Sequence, residues 1–233
     1  MPKKAGSYPE NWPTSLPYLS NAIIAPPLPK DILSTRALAA SCCAIEPNAA
    51  TIREPQTPYT NIHITPITDP NHPAYRQCGL FTRRGHGPDT FICLYLGLVH
   101  DTTADAAAAR SDKDVSSPSP HVHSDYDLSL DRDLGLAIDA AAMGNEARFI
   151  NDYRGIADRP NAEFRDVIVV RGKGGTKERG VGVFVKTAKK DGKKRQGQKG
   201  KKEDDVGISK GEEILVSYGR GFWSARRVEA STD

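Results

Sequence analysis

Proline is the strongest constraint on this chain. Thirteen of its 17 prolines fall within the first 73 positions, at 2, 9, 13, 17, 26, 27, 29, 47, 55, 58, 66, 70 and 73. Proline fixes φ and removes a backbone donor, so this stretch can form neither a continuous helix nor an inner sheet strand. Residues 1–57 read as an extended arm that wraps a neighbouring surface or stays partly disordered. Its one helix candidate is Asp31 to Cys43, with Asp31 as N-cap and Ile32, Leu33, Leu38 and Ala39 as a partial apolar face.

From Tyr59 onward, strand signals replace the prolines. TNIHITPI alternates with period two at Ile62 and Ile64, and CGLFT is short and apolar. TFICLYLGLV (Thr90–Val99) reads as one buried strand. DVIVV (Asp166–Val170) and VGVFVKT (Val181–Thr187) flank RGKGGTKERG and read as a hairpin, with EILVSY (Glu213–Tyr218) a further strand. Many short strands without a strand–helix rhythm predict a mainly β fold (β-rich α+β). Two segments read as inserted loops, at about 101–125 and 188–206. The second includes KTAKKDGKKRQGQKGKK (Lys186–Lys202), nine Lys/Arg in 17 residues and too polar to bury. The glycines of GKGGTK (Gly172–Lys177) lack phosphate-loop spacing and suit a hairpin turn.

Composition narrows the class further. The chain has 233 residues, 38% hydrophobic and 26% charged, with a mean hydropathy of −0.52, values of a globular protein. No apolar run approaches the ~20 residues of a membrane span, and no apolar segment follows the lysines of MPKKAGSYPENWP, so neither membrane insertion nor a secretory signal is expected. Cys42, Cys43, Cys78 and Cys93 lack metal-ligand spacing and read as reduced thiols. His121 and His123 sit in a Ser/Pro loop with no Cys or His partner placed to close a metal site.

Four pieces in fixed order carry a resemblance. They are CGLFTRRGHGPDTFICLYLG (Cys78–Gly97), LAIDAAAMGNEARFIND (Leu136–Asp152), RPNAEF (Arg159–Phe164) and KGEEILVSYG (Lys210–Gly219). Together they resemble the SET-domain protein lysine methyltransferases, over about Tyr59 to Gly219. The resemblance implies a SET-domain fold of small curved sheets around a C-terminal pseudoknot, in which the last strand passes through the loop of the Arg-Phe-x-Asn segment. It implies a SET domain at 58–220 and a C-terminal flank at 221–233 that closes the cofactor site. It also makes Leu136–Asp139 a strand and Gly144–Phe149 a tight helical turn, where alanine content alone suggested a helix.

The implied reaction moves a methyl group from S-adenosylmethionine to a lysine amine, leaving S-adenosylhomocysteine. By resemblance, Tyr218 and Tyr95 are the catalytic tyrosines, Tyr95 also facing the channel. Gly79, Leu80, Phe81, Arg148, Phe149, Asn151, Asp152, Tyr218 and Trp223 form the cofactor set. Tyr95, Tyr126, Phe164, Val216 and Phe222 line the substrate channel and groove. Two positions depart from the family pattern: Gln77 replaces the first glycine of Gly-x-Gly, and Asp152 stands where most members carry His. No cysteine follows Cys93, so the family's C-terminal zinc cluster is not expected.

Three functional readings follow. The first is a methyltransferase acting on a histone tail or nucleosome; the second is the same enzyme acting on a ribosomal or translation protein. The third is a catalytically silent SET domain that binds chromatin. The basic loop Lys186–Lys202 adds a nuclear import signal and non-specific, phosphate-directed DNA contact. The expected protein is a monomer in the nucleus, with the cytoplasm as second compartment.

Overall fold

The alternating apolar side chains of TNIHITPI pair with those of CGLFT in a local antiparallel hairpin. Ile62 and Ile64 are buried on one strand, and Leu80 and Thr82 on the other. The computed structural model describes residues 8–35, 49–103, 120–121, 123–187, 207–219 and 222–223. Among these the protein is mainly β. Residues 36–43 of the helix candidate, most of the loop at 101–125, the basic loop from 188 onward and the tail beyond 223 lie outside the described residues.

In chain order the strands are β1 (Ile23–Ile24), β2 (Ala50–Arg53), β3 (Ile62–Pro66), β4 (Cys78–Thr82), β5 (Phe91–Tyr95) and β6 (Leu98–Asp101). They continue with β7 (Asp127–Asp131), β8 (Leu136–Asp139), β9 (Asn151–Asp152), β10 (Ala162–Arg171), β11 (Thr176–Val185) and β12 (Leu215–Val216). A 3₁₀ turn, Glu146–Phe149, precedes β9. The sheets have the orders β1-β6-β8-β7, β2-β10-β11-β5, β12-β9 and β3-β4. The chain divides into two compact units. One draws on Met1–Thr60, Cys93–Arg148 and Arg165–Val183, the other on Asn61–Ile92, Phe149–Phe164 and Phe184–Asp233.

In the first unit the proline-rich segment packs on its own chain. Trp12, Leu19 and Leu33 are buried. Ile23 and Ile24 pair in parallel with Leu98 and Val99, and Ala50–Arg53 pair with Val167–Val170. Both segments occupy sheet edges, the positions that proline-rich flanks permit. Leu19 N–H donates to the Gly144 carbonyl and Gly144 N–H to that of Pro17, so the arm braces the turn that opens GNEARF.

Two expectations are corrected. Thr90–Val99 is not one strand: β5 ends at Tyr95, and β6 begins at Leu98 in a different sheet. Gly97 sits in the break because a Cβ there would lie 2.3 Å from the Asp139 carbonyl oxygen. EILVSY forms only the two-residue β12, because the segment takes partners on both sides in succession. The hairpin is present with strands of ten residues each, longer than its apolar cores, and its turn contracts to Gly172–Gly175. Gly172 and Gly175 have φ of 58° and 66°, a region glycine enters without penalty.

In the second unit the C-terminal segment is held along both edges. Ile214 N–H donates to the Leu80 carbonyl, and Tyr153 N–H to the Val216 carbonyl. On the opposite edge, Leu215 exchanges bonds with Asn161 through Asn161 N–H (3.1 Å) and Asn161 Oδ1 (2.8 Å). Leu215 and Val216 also pair in parallel with Asn151 and Asp152. The strand thus lies in the loop running from Asn151 to Asn161, the threaded arrangement expected of this fold.

Candidate functional site

Each unit holds its own cluster of the expected site residues. In the second unit, β9 and β12 lie side by side because two short apolar runs, Phe149-Ile150 and Ile214-Leu215-Val216, bury together; Ile150 is 3% exposed and Val216 fully buried. The ladder carries Asn151, Asp152 and the residues leading to Tyr218 into one neighbourhood. The Tyr218 hydroxyl donates to the Ile150 carbonyl at 2.7 Å, and its backbone N–H donates to Asp152 Oδ2 at 2.7 Å. The Tyr218 ring meets Phe222 edge-on at 4.8 Å, and Phe222 meets Trp223 at 5.3 Å.

Asp152 has a structural role. Its side chain is 5% exposed and saturated with donors. Oδ1 accepts Arg154 N–H (2.9 Å), both oxygens accept Arg154 Nη1 (3.1 and 2.9 Å), and Oδ2 also accepts Trp223 Nε1 (3.3 Å). Its charge is therefore committed within the protein, tying Tyr218 and Trp223 to the 152–154 turn.

Asn151 is held by a second carboxylate. Its Nδ2 donates to Glu213 Oε1 at 2.8 Å and to the Cys78 carbonyl at 3.4 Å. Glu213 in turn accepts His72 Nε2 at 3.0 Å, with side-chain exposures of 11% for His72 and 9% for Glu213. A Cβ at position 79 would lie 2.5 Å from Glu213 Oε1 and 2.9 Å from the Phe81 ring, so Gly79 is the residue over which this carboxylate lies. Leu80 is fully buried; Phe81, Phe149 and Phe164 are half-buried.

In the first unit, Tyr95 ends β5 with its hydroxyl donating to the Tyr126 carbonyl at 2.6 Å. The Arg148 guanidinium lies 4.3 Å over the Tyr126 ring and donates from Nε to the Ala140 carbonyl at 2.9 Å. Asn145, fully buried, clamps the end of β5 by donating to the Leu94 carbonyl (2.8 Å) and accepting Leu96 N–H (3.2 Å). Beneath this turn Glu146, 1% exposed, accepts the Tyr18 hydroxyl (3.0 Å) and Tyr59 N–H (2.9 Å). Burial raises the Glu146 pKa despite these hydrogen bonds, and burial likewise pushes the Cys93 thiol well up.

His100 and His121 stack at 3.8 Å, pairing with Asp127 (2.9 Å) and Asp139 (2.6 Å) respectively. Burial pulls His100 down, but the hydrogen bond and charge of Asp127 more than reverse this, leaving its pKa raised.

Sequence reasoning passed over four contributors. Glu213 and Asn145 stood inside quoted motifs without a role. His72 was one of six histidines in a loop without periodicity, and the Ile150 carbonyl leaves no trace in side-chain patterning.

No protein-family model matches the chain, and no curated protein matches it. Solved structures similar to it include a chain of the Chaetomium thermophilum Polycomb repressive complex 2, with 19% identity and a TM-score of 0.42 over 75% of this chain and 16% of that one. Another is that complex in an autoinhibited conformation bound to S-adenosylmethionine, with 18% identity and a TM-score of 0.42 over 73% and 17%. A third is an active Polycomb repressive complex 2 in the stimulated state, with 19% identity and a TM-score of 0.40 over 73% and 15%. This chain spans less than a fifth of the length of each of these chains.

Proposed function

We propose that this chain is an S-adenosylmethionine-dependent protein lysine N-methyltransferase of the SET type, acting on a histone tail. The observation that carries this reading is the β9–β12 ladder: it joins the GNEARFIND run to the GEEILVSYG run, and Tyr218 N–H bonds to Asp152. Either motif alone is weak. Their pairing in space, in the order in which the sequence resembles the family, is the support.

The residues present fit the cofactor's chemistry. Asn151 commits its amide nitrogen to Glu213 and Cys78 and leaves Oδ1 without a hydrogen-bond partner among the described residues, an acceptor for an ammonium group. Phe222 and Trp223 offer aromatic faces suited to a purine. When bound, the cofactor supplies an electrophilic methyl group on a sulfonium.

The protein's work is on the amine. Free lysine has a pKa near ~10.4, and its ammonium form has no lone pair. Burial against apolar walls favours the neutral form. The Tyr218 hydroxyl, its proton directed at the Ile150 carbonyl, is held at the end of β12, where by resemblance it orients the amine nitrogen. In the other unit, the Tyr95 proton is likewise committed to the Tyr126 carbonyl, and by resemblance Tyr95 is the channel tyrosine. Asp152 serves as a structural anchor for the strand end. The basic loop favours a nuclear protein with phosphate contacts to DNA.

Incubation with labelled S-adenosylmethionine, nucleosomes, free histones and cell extract tests this, with Tyr218→Phe and Asn151→Ala in parallel. Label on histone that disappears with Tyr218→Phe is the expected result. Label confined to the extract moves the substrate to a non-histone protein. Tight nucleosome binding with no label and no cofactor uptake overturns the enzyme reading in favour of a chromatin-binding module.

A further inference from the structure

His72 lies in the loop between β3 and β4, outside every motif that suggests the site. Its side chain is nonetheless only 11% exposed and doubly engaged. Nδ1 accepts Ala74 N–H at 3.0 Å, so in the neutral ring the proton sits on Nε2, which faces Glu213 Oε2 at 3.0 Å. The loop is built to hold the ring there: His72 N–H donates to the Asp69 carbonyl, Tyr75 N–H to that of His72, and Arg76 N–H to that of Ile67. Glu213 Oε1 accepts Asn151 Nδ2 at 2.8 Å, while the second Nδ2 hydrogen is directed at the Cys78 carbonyl.

A carboxylate this buried needs a donor on each oxygen. With His72 on Oε2, Oε1 is left to take the Asn151 amide. An asparagine side chain has two faces of opposite hydrogen-bonding character, and nothing intrinsic decides which is presented outward. Here the acceptor-only partners Glu213 and the Cys78 carbonyl both claim the NH₂ end. The C=O end is thereby the one left to a ligand.

We propose that His72, acting through Glu213, is a positioning residue for Asn151, fixing its amide so that Oδ1 is presented to the ammonium end of the amino-acid moiety of S-adenosylmethionine. This rests on the methyltransferase reading for the identity of the ligand, but the His72–Glu213–Asn151 relay itself does not. Gly79 belongs to the same device, since any side chain there displaces the carboxylate.

The test uses the full chain, His72→Ala, His72→Gln, Asn151→Ala and the double variant His72→Ala/Asn151→Ala. Without cofactor, NMR follows the Asn151 side-chain NH₂ signals, assigned by their loss in Asn151→Ala. His72→Ala is expected to shift them and speed their exchange. His72→Gln, whose Nε2 donates in place of the imidazole, restores them. Signals unmoved by His72→Ala overturn the proposal.

Calorimetry with S-adenosylmethionine is expected to show binding about tenfold weaker in His72→Ala, recovered in His72→Gln, and no further loss when His72→Ala is added to Asn151→Ala. In turnover, KM for the cofactor rises while kcat and the peptide KM stay within about twofold. An equal tenfold loss in the Asn151→Ala background overturns the proposal, because His72 would then act by another route. Wild-type protein that takes up no cofactor overturns the methyltransferase reading and the ligand assigned to Oδ1, while the NMR coupling still decides the relay.

Discussion

Asp152→Asn isolates what the carboxylate at this position does. The change is isosteric, so packing is preserved and only hydrogen-bonding character is altered. Every group facing Asp152 is a donor: Arg154 N–H and Nη1, Tyr218 N–H and Trp223 Nε1. An amide can offer its oxygen to one side only, so its NH₂ must face a donor whichever way it turns. With NH₂ in the Oδ2 place it meets Tyr218 and Trp223; in the Oδ1 place it meets Arg154 N–H. A hydrogen bond to a charged group contributes about 1.5–3 kcal/mol. The Arg154 side chain is 36% exposed, so its ion pair with Asp152 adds only about 0–1 kcal/mol after solvent screening. The expected loss is about 2–3 kcal/mol, which for a chain of this size lowers Tm by about 4–12 °C.

Thermal and urea unfolding of Asp152→Asn and Arg154→Ala measure this. Arg154→Ala is expected to cost under about 1 kcal/mol, because the Tyr218 anchor remains. An Asp152→Asn variant as stable as wild type refutes the argument. So does an Arg154→Ala loss as large as that of Asp152→Asn, since the carboxylate would then serve the arginine and not the strand carrying Tyr218.

Three further outcomes follow from other parts of the molecule. Gly97→Ala drives a Cβ to 2.3 Å from the backbone oxygen of Asp139 and lowers the urea midpoint by the equivalent of about 2–4 kcal/mol, whereas Gly174→Ala, with nothing within 4 Å, changes it by under about 0.5 kcal/mol. The raised folded-state pKa of His100 contributes stability that is fully present below the unfolded value of 6.5 and is lost as pH rises through the folded value, so Asp127→Asn costs more in unfolding experiments at about pH 6 than at about pH 9. The pKa of Glu146 is raised by burial, so its contribution is fully present below 4.5 and lost as pH rises through the folded-state value; Glu146→Gln, with Tyr59 N–H on its oxygen and the Tyr18 hydroxyl turned to accept, flattens the fall in stability that wild type shows between 4.5 and that value.

What the sequence revealed of this fold was what neighbouring residues decide among themselves. Ile62 and Ile64 alternate because a two-stranded sheet has one buried face, and the period shows in five residues. The β10–β11 hairpin shows in its β-branched runs and the glycines between them. The break between β5 and β6 does not show, because Thr90–Val99 is locally a good strand. It ends at Tyr95 because Gly97 passes against the backbone of Asp139, a contact between residues far apart in sequence.

The same division runs through the site. Tyr218 and Asn151 entered the candidate site through resemblance, since each lies in a run whose order carries it. Glu213 and His72 were not, because a histidine in a loop acquires a role only when a carboxylate 141 positions away meets it. Asp152 is the instructive case: by resemblance it stands where most family members carry histidine, a departure in charge. Yet Asp-Tyr-Arg carried a local answer, an Asp whose oxygen takes the backbone N–H two residues on and whose charge pairs with that residue's guanidinium. A charged residue at an unexpected position is judged first against the donors within its own turn, because those are the partners it meets before any ligand arrives.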